Sequence, residues 1–442
     1  MKKLNELIDK YNRPGPRYTS YPPVPFWNKT PQMEEWFNHI QRNAFQGIDL
    51  YVHIPFCEKL CWYCGCNRTI TKDHSIEKHF INLLLKEWEI YQKAFGAIQV
   101  NSLHFGGGTP TFLSPANLKY LIESLTNLTS AQFVGSIEVD PRTCTEAHLE
   151  VLRDHNFSRI SLGIQDFDPK VQNAINRIQP VNLVEFLVKQ IRDYKFESIN
   201  FDLIYGLPHQ RPSSITETIN IVNALSPDLI AFYGFAHLPH KIANQKLISK
   251  NSLPTAAQRQ ELYQLGKKLF TMAGFEDIGM DHFAKPDNYL YKAKLNKQLH
   301  RNFMGYTDKK SNVLIGLGPS SISDSGLSFI QNHKELKDYE KSVLAGNLPI
   351  STGHTQTTID LVTQKLILAI MCEDQTVLSP NLPYMNEIQE ELKGFAEDGL
   401  INLENNKIEL TDLGKIFMRN IAMSFDYHLR DQIMSTRFSQ TV

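Results

Sequence analysis

The chain has 442 residues, 42% of them hydrophobic, and carries 46 Lys plus Arg against 47 Asp plus Glu. That length predicts one large domain with a smaller one beside it, and the balanced charge predicts no non-specific attraction to nucleic acid or an anionic membrane. The N-terminus is polar, with no secretory h-region, and no run approaches the roughly 18 apolar residues of a membrane span.

Residues 1–48 contain Pro14, Pro16, Pro22, Pro23, Pro25 and Pro31. Proline lacks the N–H a helix interior needs, so this segment reads as an extended arm anchored by Tyr18, Tyr21, Phe26 and Trp27. From about residue 50 strands alternate with helices. LYVHIPF is a buried strand, and Ser75 to Phe95 is an amphipathic helix with Ile76, Phe80, Leu84, Trp88, Tyr91 and Phe95 on one face. SLHFGGG is a strand, and Ser114-Pro115 caps the next helix. SIEVD is a strand, with Thr143-x-x-Glu146 read as the following capping box. RISLGIQ and INFDLIYGLP are strands, Ser214-x-x-Glu217 is a second capping box, and LIAFYGF precedes a helix over about 255–273. Six strands joined by helices predict a parallel α/β sheet, either doubly wound or a partial or full β/α barrel. Past residue 355 helices lead to a hairpin wing turning at Asn405-Asn406 and a further helix, as in a winged-helix unit; no basic face favours DNA as its partner. The expected segments are an arm at 1–48 that can serve as a substrate lid, an α/β core at 49–350, and a mainly helical C-terminal domain at 351–442.

The chemistry-bearing residues fall at strand C-terminal ends, the edge where barrels and open α/β sheets build active sites. Cys57, Cys61, Cys64 and Cys66 follow the first strand as HIPFCEKLCWYCGCN. Three thiolates can hold three irons of a four-iron cluster and leave the fourth iron open. A zinc knot using all four cysteines is the alternative, but structural zinc usually takes two well-separated C-x2-C pairs. Trp62 and Tyr63 can shield such a centre from water. Gly106-Gly107-Gly108-Thr109 lacks a P-loop lysine and a dinucleotide spacing; its bared backbone suits an amino-acid moiety. Glu138, Gln165, Arg177 and Asp202 suit ribose hydroxyls and a carboxylate. Cys144 and Cys372 read as inert packed thiols.

C-x3-C-x2-C followed by GGGTP resembles the radical SAM superfamily. PRYTSYP, YVHIPFC, C-x-C-N, IEVDPR, GIQDF, DLIYGLP, AHLP, GMDHFA and LHRNFMGYT resemble one family within it, the oxygen-independent coproporphyrinogen III oxidases. The related haem chaperones typically lack the PRYTSYP arm and carry an aromatic where Cys66 stands. The resemblance implies a [4Fe–4S] cluster on Cys57, Cys61 and Cys64, and two molecules of S-adenosylmethionine. Tyr51, Gly107, Glu138 and Ile322 match contacts to the first; Tyr63, Gly108, Thr109, Gln165, Arg177, Asp202 and Ala236 match contacts to the second. Cys66 matches a residue needed for activity without ligating, and Tyr51 and Glu138 join it as catalytic positions. The implied reaction removes the propionate carboxylates of rings A and B of coproporphyrinogen III, leaving vinyl groups, after one electron splits S-adenosylmethionine to a 5′-deoxyadenosyl radical. Flavodoxin or ferredoxin is the implied class of electron donor, with a monomeric cytoplasmic enzyme and neither nucleic acid nor membrane as partner. A haem chaperone, or another tetrapyrrole protein of the superfamily, is the competing reading. Departures at Pro23-Val24-Pro25-Phe26-Trp27, Ile178 and Pro319-Ser320-Ser321 touch the lid and cofactor regions. Arg17 in the arm is expected to pair with a substrate propionate.

Overall fold

A computed structural model describes residues 2–127, 132–430 and 438–441. The chain divides into two compact units at points other than the expected boundaries: residues 29–273 with 311–355, and residues 1–28 with 274–310 and 356–442.

The first unit is the α/β core. Its strands are β1 (Ile48–Ile54), β2 (Val100–Gly107), β3 (Val134–Val139), β4 (Phe157–Gln165), β5 (Ser198–Tyr205) and β6 (Leu229–Gly234), hydrogen-bonded in that order and all parallel. Four more strands extend the sheet from the β1 side: β7 (Leu314–Leu317), parallel to β1, then the antiparallel β8 (Ile322–Asp324), β9 (Ser328–Asn332) and β10 (Ile350–Thr355). This is the expected α/β fold of parallel strands, in its partial-barrel form: β1 pairs with β7 and β2, and not with β6.

Burial along the strands shows which face carries chemistry. On β2 through β5, Leu103, Phe105, Ile137, Ile160, Leu162, Ile199, Phe201 and Leu203 are essentially inaccessible. The alternating residues His104, Ser136, Glu138, Ser161, Asn200 and Asp202 are half-buried. A sheet covered by helices on both faces would be apolar on both; here one face is apolar and the other is a row of polar side chains. Among the helices are α1 (Glu77–Phe95), which buries Phe80, Leu84, Trp88 and Tyr91 as its periodicity predicts, and α2 (Pro115–Thr126), capped by Ser114. Two expected caps move. α3 (Glu146–Asp154) starts from Thr145, which makes its box with His148, while Thr143 bonds Asp140 O. α4 (Pro212–Leu225) starts from Arg211, because Pro212 supplies the first helical residue and Ser214 then sits three positions in. α5 (Leu336–Leu344) follows β9.

The second unit gathers the two chain ends. The segment at 1–48 read as an extended arm holds two helices, Lys2–Tyr11 before the prolines begin and Met33–Asn43 after Pro31, the last of them. The arm is tied by Arg419, which donates to Gly15 O and to Pro16 O at 2.9 Å. Tyr18 donates to Asp426 (3.0 Å), and Arg17 pairs with Asp281. The C-terminal segment is mainly helical with a three-stranded sheet, and the wing is present: Ile401–Glu404 pairs with Lys407–Leu410 around Asn405 and Asn406, both at positive φ. Burial pushes the thiols of Cys144 and Cys372 up to about 12, as inert packed cysteines require.

Phe105 is fully buried and stacks on Phe157 with ring centroids 5.5 Å apart. Phe105→Ala is expected to destabilise the core by about 3–5 kcal/mol, read as a lower denaturant midpoint by circular dichroism.

Candidate active site: a cysteine loop at the C-terminal edge of the sheet

The parallel register places the polar residues beside one another. Tyr51 lies opposite His104, Ile54 opposite Gly107, Glu138 opposite Ser161, and Gly163 opposite Asp202. Tyr51 stacks on His104 and its hydroxyl meets His53 Nδ1 at 3.0 Å; His53 Nε2 in turn reaches Asn67 O at 2.9 Å. Glu138 accepts from Gly107 N–H at 3.0 Å. Burial raises the Glu138 pKa, but His104 and the Gly107 N–H outweigh it, and the carboxyl titrates below its ordinary range. Asp202, held by Ser161 and Asn200 at 2.9 Å each, is pushed up to about 6 by burial and by the charge of Glu138.

The cysteine loop has little regular structure and is fixed from outside. Asn244 donates to three of its carbonyls: Cys61 O (3.2 Å), Trp62 O (2.8 Å) and Cys64 O (3.0 Å). Gln245 takes Tyr63 O at 2.9 Å and Ala236 O at 3.1 Å. Asn176 takes Leu60 O, and Ile175 O accepts from Trp62 N–H. Trp62 and Tyr63 pack on an apolar cluster that includes Val171, Ile175, Leu207 and Phe235. Each of two thiols faces donors. Thr109 Oγ1 stands 3.2 Å from Cys57 Sγ, and guanidinium N–H groups of Arg177 and Arg142 point at Cys61 Sγ from 3.6 and 3.7 Å. Both arginines are held by Asp140, at 3.1 and 2.6 Å. Burial opposes the charge on Asp140, yet Arg177 and Arg142 keep it well below the usual carboxylate range. A hydrogen bond from the Cys66 thiol holds the Cys64 thiol below its ordinary range.

This donor set fits a cluster. Thiolates on iron are stabilised by N–H and O–H groups aimed at sulfur, and Cys57 and Cys61 have them. The glycines are required by the packing of the chain on itself. A Cβ on Gly108 would lie 2.7 Å from the Pro55 carbonyl carbon, and one on Gly107, at φ +111°, would lie 2.6 Å from the His53 ring. Gln165 has φ +68° and, with Arg177, crowds the space beside Gly163, where a Cβ would meet them at 3.0 and 3.1 Å.

Of the positions singled out in the sequence, Tyr51, Gly107, Glu138, Gln165, Arg177 and Asp202 lie at or beside the ends of neighbouring strands, Tyr63, Gly108 and Thr109 lie on or against the cysteine loop, and Ala236 shares the Gln245 amide with Tyr63. Ile322 opens β8, opposite Gln331. Sequence reasoning missed Asn244 and Gln245, which sit in a short 3-10 turn (Ala243–Leu247) with no motif around them. It also missed the linking role of Asp140, whose sequence signal was its strand-end position.

Fold and site together define a radical SAM protein, and residues 51–222 match the Radical SAM superfamily. The chain belongs to the oxygen-independent coproporphyrinogen III oxidase family. It is 38% identical to the oxygen-independent coproporphyrinogen III oxidase of Pseudomonas aeruginosa, over 99% of this chain and 98% of that protein. It is 37% identical to that of Escherichia coli, over 99% and 98%. The solved structure of the Escherichia coli coproporphyrinogen III oxidase, described as a radical SAM enzyme, superposes with a TM-score of 0.90 at 36% identity, covering 93% of this chain and 98% of that one.

Asn244→Ala strips three loop carbonyls of their donor, each worth about 1–3 kcal/mol when buried. Anaerobic reconstitution is expected to give less than about half the iron and sulfide of the parent, measured per chain, with the fold intact by circular dichroism.

Proposed function

We infer that this protein carries out the oxygen-independent conversion of coproporphyrinogen III to protoporphyrinogen IX, oxidatively decarboxylating the propionates of rings A and B to vinyl groups in haem biosynthesis. The observation that carries this is the cysteine loop: three thiols at C-x3-C-x2-C spacing, with hydrogen-bond donors at two sulfurs, on the C-terminal edge of the sheet beside Gly106–Gly108, in a chain of that family over nearly its whole length.

Cys57, Cys61 and Cys64 would hold the [4Fe–4S] cluster. When bound, the cluster and S-adenosylmethionine supply one electron and a carbon radical able to abstract hydrogen from a propionate side chain. Arg142, Arg177 and Thr109 offset charge gained at the ligating sulfurs. Tyr51, Gly107, Glu138 and Ile322 would contact the first S-adenosylmethionine; the charged Glu138 is an acceptor for hydroxyls. Tyr63, Gly108, Thr109, Gln165, Arg177, Asp202 and Ala236 would contact a second molecule. No side-chain base is needed for hydrogen abstraction. Cys66, a free thiol hydrogen-bonded to Cys64, would act beside the cluster without ligating it. A single-electron protein such as flavodoxin or ferredoxin would serve as donor, to a cytoplasmic monomer with neither nucleic acid nor membrane as partner; among the described residues no helix is long and apolar enough to cross a membrane. Residues 14–27 would close over the substrate, Asp281 releasing Arg17 to a propionate.

Anaerobic protein with dithionite and S-adenosylmethionine is expected to convert coproporphyrinogen III to protoporphyrinogen IX, followed by chromatography of the oxidised porphyrins. Haem binding without decarboxylation would instead assign a chaperone. Cys66→Ser is expected to keep the iron content of the parent while losing more than about tenfold in turnover, about 1.4 kcal/mol in the barrier; loss of iron would make Cys66 a ligand. Arg17→Ala is expected to raise the KM for the porphyrinogen several-fold, and an unchanged KM leaves Arg17 as the structural partner of Asp281.

A further inference from the structure

Glu87 on α1 is a fully buried carboxylate whose hydrogen-bond partners carry no charge. Its Oε2 accepts from Gly318 N–H at 2.8 Å and from Tyr339 Oη, on α5, at 2.6 Å; its Oε1 accepts from Asn332 Nδ2, at the end of β9, at 2.6 Å. The same Asn332 amide donates to Gly318 O (2.9 Å), and so does Ser321 Oγ (2.7 Å). Side chains from separate elements thus converge on one residue, and both its N–H and its carbonyl are taken. A buried charge costs free energy that an apolar side chain of similar volume would avoid, so stability gives no reason to keep a carboxylate there.

The place of that residue supplies a reason. Gly318 follows β7, whose Leu317 pairs with Val52 of β1. Gly318 stands at φ +95°, and a Cβ on it would lie 2.6 Å from the His53 carbonyl oxygen. It therefore presses on β1 where Tyr51 and His53 bond to each other and four residues before Cys57. We propose that Glu87 is a positioning residue: its carboxylate clamps Gly318 against His53 and so sets the cofactor end of β1 for binding S-adenosylmethionine. This rests on the reading given under Proposed function.

The clamp needs the ionised form. A carboxylate offers only acceptors to the three donors; a carboxylic acid adds a hydrogen among them and weakens its hold on Gly318. Burial pushes Glu87 up to about 7 against its three donors. The titratable groups facing it, Tyr339 from α5 and Tyr91 one turn along α1, are both kept neutral by burial. The signs of stability and positioning therefore oppose. A carboxyl raised on folding favours the folded state below its folded pKa, and that contribution is lost as pH rises through about 7. Affinity for S-adenosylmethionine should change the other way and weaken as pH falls through the same region.

Equilibrium dialysis of labelled S-adenosylmethionine against anaerobically reconstituted protein, from about pH 6 to about pH 8, reads this directly. The parent is expected to weaken up to about tenfold toward acid. Glu87→Gln is expected to bind weakly with a flat profile, to keep its iron, and to keep kcat at saturating S-adenosylmethionine within about twofold, so that the defect lies in KM. Hydrogen exchange of a peptide spanning residues 313–323 should rise in the variant. Tyr339→Phe removes one donor without touching the charge and should move the midpoint of the profile upward, which keeps a test available where Glu87→Gln does not fold. Parental affinity and profile in Glu87→Gln, or an unmoved midpoint in Tyr339→Phe, overturns the assignment. A parent protein that carries the cluster and binds no S-adenosylmethionine at any pH overturns the functional reading itself.

Discussion

A loop without regular structure can present three thiols to one cluster only if its backbone is held by something else. Cys57, Cys61 and Cys64 are on such a loop, and its carbonyls would be unsatisfied where it lies against the core. Asn244 alone answers three of them, and Gln245 and Asn176 answer two more. The constraint is the general one that buried backbone polar groups must be paired, met beyond Cys57 by side chains because the short ladder of Phe56–Cys57 with Thr69–Ile70 ends there. The rest of the site depends on it, since donors at the sulfurs matter only if the sulfurs stay where they are.

Charge is arranged in the same economical way. Asp140 holds two arginines, and both turn an N–H toward Cys61. One buried carboxylate therefore orients two cations that face a thiol and, through Arg177, ties the cysteine loop to the Gly163 carbonyl of β4 at 2.6 Å. Glu138 and Asp202 show the complementary pattern on the sheet's polar face. The first carries its charge because an imidazole and an N–H meet it against the cost of burial; the second is pushed toward its neutral form by burial and, after that, by the nearby Glu138. Two acids on one edge, driven apart in pKa, give that edge one reliable anion and one group that titrates close to neutrality.

The sheet explains why these groups can coexist. On β2 through β5 the residues of one face are sealed in the core, while the alternate residues form the half-buried row from His104 to Asp202. A period of two along each strand, repeated in register across four strands, turns local alternation into one polar surface.

Much of this was legible in the chain. Alternating strands and helices, the apolar face of α1, the Ser114 cap, the Asn405-Asn406 wing and the strand-end placement of the site all follow from periodicity and turn chemistry, which are local. The cysteine spacing, with GGGTP, carried the cofactor class. What local signals could not give were properties of distance. Asn244 lies 180 residues from Cys64 and shows no motif. The two displaced helix caps turned on which of several adjacent Ser, Thr and Pro residues the backbone used first. The return of residues 311–355 to the first unit, and of residues 274–310 to the second, is set by contacts that no window of sequence contains. The sequence by itself determined the element order and the cofactor chemistry, because helix and strand periods and ligand spacing are written in neighbouring residues. Only the tertiary structure decided how the cysteine loop is held and which charges face its sulfurs, because those depend on side chains that folding brings together from far apart.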